Sequence, residues 1–120
     1  MRTKRIRFLT FQVAPDLFEI ACLDAGTAGH GTTLFEAVRC LAENVQAGIE
    51  MAGEEGLEFL CKPSPDELEI FNAIKNELPV PRAALKATGY SGKLTGIGEL
   101  ALVAKPTPHI DIGRLEPVGA

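Results

Sequence analysis

The chain has 120 residues, 46% of them hydrophobic and 23% charged, with a formal net charge of −4 and an isoelectric point near 5.2. A chain of this size buries roughly two thirds of its surface on folding, so a real core is expected, and the composition matches neither a disordered nor a repeat protein. The acidic balance works against nonspecific nucleic-acid binding, which depends on neutralising phosphates with Lys and Arg.

No apolar run approaches the roughly 20 residues that span a bilayer. Met1, Arg2, Thr3, Lys4 and Arg5 are followed by alternating polar residues where a signal peptide needs a continuous apolar segment. A cytoplasmic protein without membrane contact is expected. Four basic residues, Arg2, Lys4, Arg5 and Arg7, crowd the start of the chain. They read as one solvated strand face in preference to a nucleic-acid-binding arm.

Residues 5–13 are rich in β-branched and aromatic types, with Leu9, Phe11 and Val13 alternating with Thr10 and Gln12, as a half-buried strand requires. Pro15 and Asp16 supply turn chemistry. Residues 17–23 read as a second strand, with Phe18, Ile20 and Cys22 on one face, so the two segments predict a hairpin. A short third strand is expected over residues 27–30. Gly26, Gly29 and Gly31 limit its length by permitting positive φ or a close backbone approach.

The clearest helix begins at Thr33, where Thr33 and Glu36 form a capping box. Leu34, Val38, Leu41, Val45 and Ile49 then recur as an apolar stripe, while Glu36, Arg39, Glu43, Gln46 and Glu50 fill the opposite side. The helix should end near Gly53 or Gly56, and residues 57–61 read as a strand returning to the sheet. Ser64, Pro65 and Glu67 start a second helix with the stripe Leu68, Phe71, Ile74 and Leu78, stopped by Pro79. Beyond it, Pro79, Val80, Pro81 and the glycines of residues 89–98 break every pattern. Only residues 99–104 read as a strand, and the remainder as ordered loop.

Cys22, Cys40 and Cys61 cannot all pair internally and show no metal-ligand spacing, so they read as buried small hydrophobes. His30 and His109 belong to no ligand cluster, and neither a metal nor a cofactor is expected.

The string Gly31, Thr32, Thr33, Leu34, Phe35, Glu36, Ala37, preceded by Ala21 and Cys22, resembles the HicB-like domain of toxin–antitoxin antitoxins. That family typically enters its helix through a Gly-Asp-Thr-Leu-Glu-Glu-Ala string. Gly31, Thr33, Leu34, Glu36 and Ala37 match it, whereas Thr32 replaces Asp and Phe35 replaces a solvent-facing Glu. The likeness covers about half the chain. It implies a partial RNase H-like domain that neutralises a small basic RNA-cleaving toxin by covering its active surface, without catalysis. Family members that repress their own synthesis carry a DNA-binding module, and nothing after Pro79 resembles one.

A ribbon-helix-helix DNA-binding regulator is the alternative, with Arg5 and Arg7 on the ribbon, residues 15–25 as its first helix and the Thr33 helix as its second. The acidic isoelectric point and the β-favouring alternation of residues 18–22 stand against it. Candidate catalytic groups are thin: Asp16, Asp24, His30, His109 and Asp111 become a site only if the fold brings them together. The glycines of residues 26–31 before a helix are the one phosphate-cradle candidate, but they lack the Lys of a P-loop.

The reading as a whole is α+β: residues 1–62 as a β-β-β-α-β sheet with the Thr33 helix on one face, and residues 63–120 as a helix plus a Gly/Pro-rich extension packing on the first part or on a partner subunit. Exposed strand edges predict self-association. Phe35, Ala42 and Ile49 form a second apolar stripe that the extension or a partner subunit is expected to cover.

Overall fold

A computed structural model describes residues 3–51, 60–103 and 109–118. The alternating segments at the start form β1 (Thr3–Ala14) and β2 (Leu17–Cys22), an antiparallel hairpin turned at Pro15 and Asp16. β3 (Ala28–Gly31) pairs antiparallel with β2. Helix α1 (Leu34–Met51) follows, then α2 (Pro65–Lys75), α3 (Arg82–Thr88), β4 (Lys93–Val103) and β5 (His109–Pro117). The five strands form one antiparallel sheet in the order β3-β2-β1-β4-β5.

The α+β reading holds, but the extension is more regular than its sequence implied. Residues 63–120 carry a third helix and two long strands, where one strand and loop were expected. β4 begins at Lys93, six positions before the expected start at Glu99, and lies against β1 from Gln12↔Lys93 to Thr3↔Val103. The second half of the chain therefore packs on the first by completing its sheet. Of the glycines that read as loop, Gly96 and Gly98 lie within β4, with Gly98 standing opposite the fully buried Phe8. α3 uses Pro81 at its N-cap position and stops at Gly89, whose φ of 73° is open to glycine at little cost. Of the expected strand over residues 57–61, the first three residues lie outside the described ones. Leu60 makes a single antiparallel bridge to Ala25, and the Cys61 N–H donates to the Asp24 carbonyl at 2.8 Å.

Both faces of the sheet are covered, so β1 is buried on both sides. Ile6 and Phe8 point into a core with Ile20, Val38, Leu41, Val45, Leu100 and Leu102 under α1. Leu9 and Phe11 point the other way, to Leu23, Ile70, Phe71, Ile74, Ala84, Leu94 and Ile97 under α2 and α3. A fully buried aromatic such as Phe8 or Phe71 contributes about 3 kcal/mol relative to an exposed one. The alternation visible over residues 9–13 marks only one of these faces; Ile6 and Phe8 fill the other, so the strand is not half-buried as expected. Thr10, Asp24 and Glu99 are buried as well, and Thr10 shares a 2.8 Å hydrogen bond with Thr95, at the bulge where the β1–β4 register shifts.

Because residues 17–22 form a strand, residues 15–25 cannot supply the first helix of a ribbon-helix-helix protein. Arg5 and Arg7 form ion pairs within the chain, with Glu99 at 3.3 Å and with Asp24 at 2.8 Å. The cysteines are less buried than expected. Cys22 and Cys40 are half-buried, and Cys61 is exposed because it lies outside any described strand.

Candidate functional site

The string that enters α1 is built for packing and capping. A Cβ at Gly29 would lie 2.5 Å from the Ala37 carbonyl oxygen and 2.6 Å from the Leu41 nitrogen. One at Gly31 would lie 2.6 Å from the Ala37 nitrogen and 2.7 Å from the Glu36 Cβ. Neither glycine has positive φ, so of the two roles open from sequence the close approach is the one used. α1 lies almost in van der Waals contact with the β3 backbone.

At the helix start the Thr33 hydroxyl accepts from the Glu36 N–H at 3.1 Å. The Glu36 carboxylate reaches back past Thr33 to Thr32, accepting from its N–H at 3.1 Å and from its hydroxyl. Those hydrogen bonds from Thr32 hold the Glu36 carboxyl below its ordinary range. The arrangement also answers the phosphate reading. Donors and dipole at this helix start already face a carboxylate of the chain itself, which repels a second anion.

The thin catalytic candidates are not assembled. Asp24 is buried and spent on Arg7, whose guanidinium is held charged above its ordinary range chiefly by that hydrogen bond. Asp16 sits in the exposed β1–β2 turn. His30 lies on β3 at one edge of the sheet, with Nδ1 4.0 Å from Cys40 Sγ, whereas His109 and Asp111 belong to β5 at the other edge, with three strands between. Among the described residues no group of three or more His, Cys, Asp and Glu is placed to hold a metal ion.

Two open concavities stand out among the described residues. One is a cleft of about 320 Å³ beside β2 and β3, lined by Phe11, Glu19, His30, Tyr90 and Ser91 among others. Tyr90 closes one side: its ring lies 5.1 Å from that of Phe11 and its hydroxyl donates to Glu67. Burial, then the Glu67 contact, raises the Tyr90 hydroxyl well above its ordinary range. Nothing in the sequence singled out Tyr90, because its partners are brought to it by the return of the chain from α3.

The larger concavity is an open groove of about 570 Å³ between α1 and β5. Its floor is apolar, from Phe35, Ala42, Ala47, Ile110 and Ile112, and its helical wall carries Arg39, Glu43, Gln46 and Glu50. Phe35 is 61% exposed and Ile112 40%, while Ile49 is buried and Ala42 half-buried. Strand β5 thus reaches the groove from the extension but leaves Phe35 open. Phe35, Ala42 and Ile49 recur every seven residues, and Glu36, Glu43 and Glu50 recur one position later, so an apolar and an acidic stripe run side by side along α1. Arg39 lies 3.4 Å from Glu43, and Gln46 donates to Glu50 at 2.8 Å.

No family of known proteins, no curated protein and no solved structure matches this chain. Among the described residues no helix is long and apolar enough to cross a membrane.

Proposed function

We propose that this chain is a non-catalytic protein-binding module that receives a small basic protein in the groove between α1 and β5, in the manner of the HicB-like antitoxins its helix entry resembles. One observation carries the reading: the apolar floor with exposed Phe35 and Ile112 lies beside a helical wall that carries Glu43 and Glu50, with Arg39 paired to Glu43. An apolar centre supplies affinity once desolvated, and a rim of one sign selects a partner of the other and speeds encounter. The net charge of −4 acts in the same direction. A small basic RNA-cleaving toxin has the required chemistry, and covering its active surface requires no catalytic group on this chain.

Phe35 explains a departure from the family string. Where a solvent-facing Glu is usual, an aromatic side chain stands at the mouth of the groove, a placement characteristic of binding anchors.

The test starts from the native genome, where a gene adjoining this one should encode a small basic protein. Its expression alone should arrest growth, co-expression of this chain should relieve the arrest, and purified components should associate with a rate that falls steeply as salt rises. Association indifferent to salt and to Glu43→Lys with Glu50→Lys, or no association at all, would remove the reading.

A further inference from the structure

The two edges of the sheet are finished differently. β3 is four residues long, α1 is pressed against it at Gly29 and Gly31, and the Asn44 amide donates to the Ala28 carbonyl at 2.8 Å. β5 is nine residues long, stands last in the strand order, and has no strand on its outer side among the described residues. A long open edge is a template for another strand.

The register of β5 indicates which strand. Glu99 pairs with Arg114 and Leu100 with Ile112, which leaves Gly113 as the extra residue of a bulge. Positions an odd number apart fall on opposite faces of an unbroken strand. Across this bulge they share one. Ile110 and Leu115 stand in register with Leu102 and Gly98 on the α1 face, and positions 111 and 114 with Ala101 and Glu99 on the other.

We propose that β5 pairs antiparallel with β5 of a second copy of this chain, about a two-fold axis between positions 112 and 113. That register sets Ile110 opposite Leu115 of the second copy on one face. On the other it sets Asp111 opposite Arg114 and His109 opposite Glu116, so each acidic position meets a basic or imidazole one. A slip that sets Ile112 opposite Leu115 keeps the faces but places Asp111 opposite Glu116, and directly opposed like charges destabilise a strand pair. Of these two registers only the first is self-complementary. Gly113 lies beside the axis, so both strands share whatever bend its bulge imposes. Ile112 and Leu115, 40% and 43% exposed, gain apolar neighbours across the seam. The joined sheet runs from one α1 groove into the other.

This pairing stands apart from the toxin reading, because its readout is the mass of the purified chain alone. Sedimentation velocity of the full chain at rising micromolar concentration should show a reversible monomer–dimer equilibrium. Asp111→Arg and Arg114→Asp, each alone, set like charges opposite one another twice per dimer and should weaken it by roughly tenfold. The double variant D111R/R114D should restore it, with circular dichroism confirming that every variant is folded. Ile112→Cys, nearest the axis, should form an intermolecular disulfide under air beyond the background of the native cysteines, and Leu115→Cys should not. A chain that stays monomeric at high micromolar concentration, a dimer that both single substitutions leave unchanged, or a double variant no better than the singles would overturn the proposal.

Discussion

The guanidinium of Arg7 grips both carboxylate oxygens of Asp24, with Nε 3.0 Å from one and Nη2 2.8 Å from the other, while the Arg7 backbone N–H donates to the first at 2.8 Å. The Arg7 carbonyl in turn accepts from the Leu23 N–H at 2.8 Å, and its guanidinium carbon lies 5.9 Å from the centre of the Phe71 ring. One residue of β1 thus fixes the chain as it leaves β2 and braces α2. The Asp24 side chain is only 5% exposed.

Removing one partner of such a pair costs more than the pair contributes, because it strands a buried charge. Arg7→Met keeps the aliphatic stem over Phe71 but leaves the Asp24 carboxylate with a single backbone donor. Unfolding in urea should show a loss of about 3 kcal/mol. Adding Asp24→Leu should recover part of it, because the double variant strands no charge. A single substitution with an effect below about 0.5 kcal/mol would place Arg7 among ordinary surface residues.

The glycines before α1 predict a graded series. Gly29→Ala and Gly31→Ala push a methyl group into the α1 backbone, which cannot swing aside as a flexible side chain does, so each should cost about 3 kcal/mol. At Gly26 nothing lies within 4 Å of an added Cβ, and Gly26→Ala should be neutral or slightly stabilising. Thermal denaturation of the three variants side by side distinguishes this packing role from a general need for flexible backbone, which would affect all three alike.

Burial pushes the Cys22 thiol from its ordinary 9.0 up to about 11. The folded state therefore prefers the neutral thiol more than the unfolded chain does. That preference is fully present below pH 9 and is lost as pH rises toward 11. Stability should decline across this alkaline window, and Cys22→Ala should flatten the decline. Tyr90 is raised in the same direction and contributes the same sign, so the variant Tyr90→Phe separates the two. At pH 8 a thiol reagent should modify exposed Cys61 before half-buried Cys22.

Local chemistry made part of the fold legible. Ser64 accepts from the Glu67 N–H at 3.2 Å and Pro65 opens α2, as their types dictate, and the stripe of α1 is the stripe that is buried. What the sequence hid was non-local. Gly98 looks like a loop residue until Phe8 is set opposite it, and Gly113 until the bulge in β5 is seen. Asp24 read as one of the thin catalytic candidates because its partner, Arg7, lies on β1. The groove is a mixed case: the stripe of Phe35, Ala42 and Ile49 was visible along one helix, but its other wall, Ile110 and Ile112, arrives from a strand that sequence patterning did not reveal.

Phe35 separates stability from binding. The extension is held by its backbone pairing with β1, not by Phe35, which remains 61% exposed. Phe35→Glu should therefore change unfolding free energy by no more than about 0.5 kcal/mol, the range of ordinary surface substitutions, and leave proteolysis of residues 80–120 unaltered. Its effect should fall on the basic partner instead, because a carboxylate at the mouth of the groove must be desolvated where an aromatic ring was favourable. Truncating a central aromatic anchor costs 2 kcal/mol or more, so calorimetry with that partner should show affinity reduced roughly thirtyfold or further. Glu43→Gln, on the exposed rim, should instead slow association a few-fold with little change in dissociation. A large loss of stability in Phe35→Glu with unchanged affinity would reverse this assignment and make the stripe part of the core.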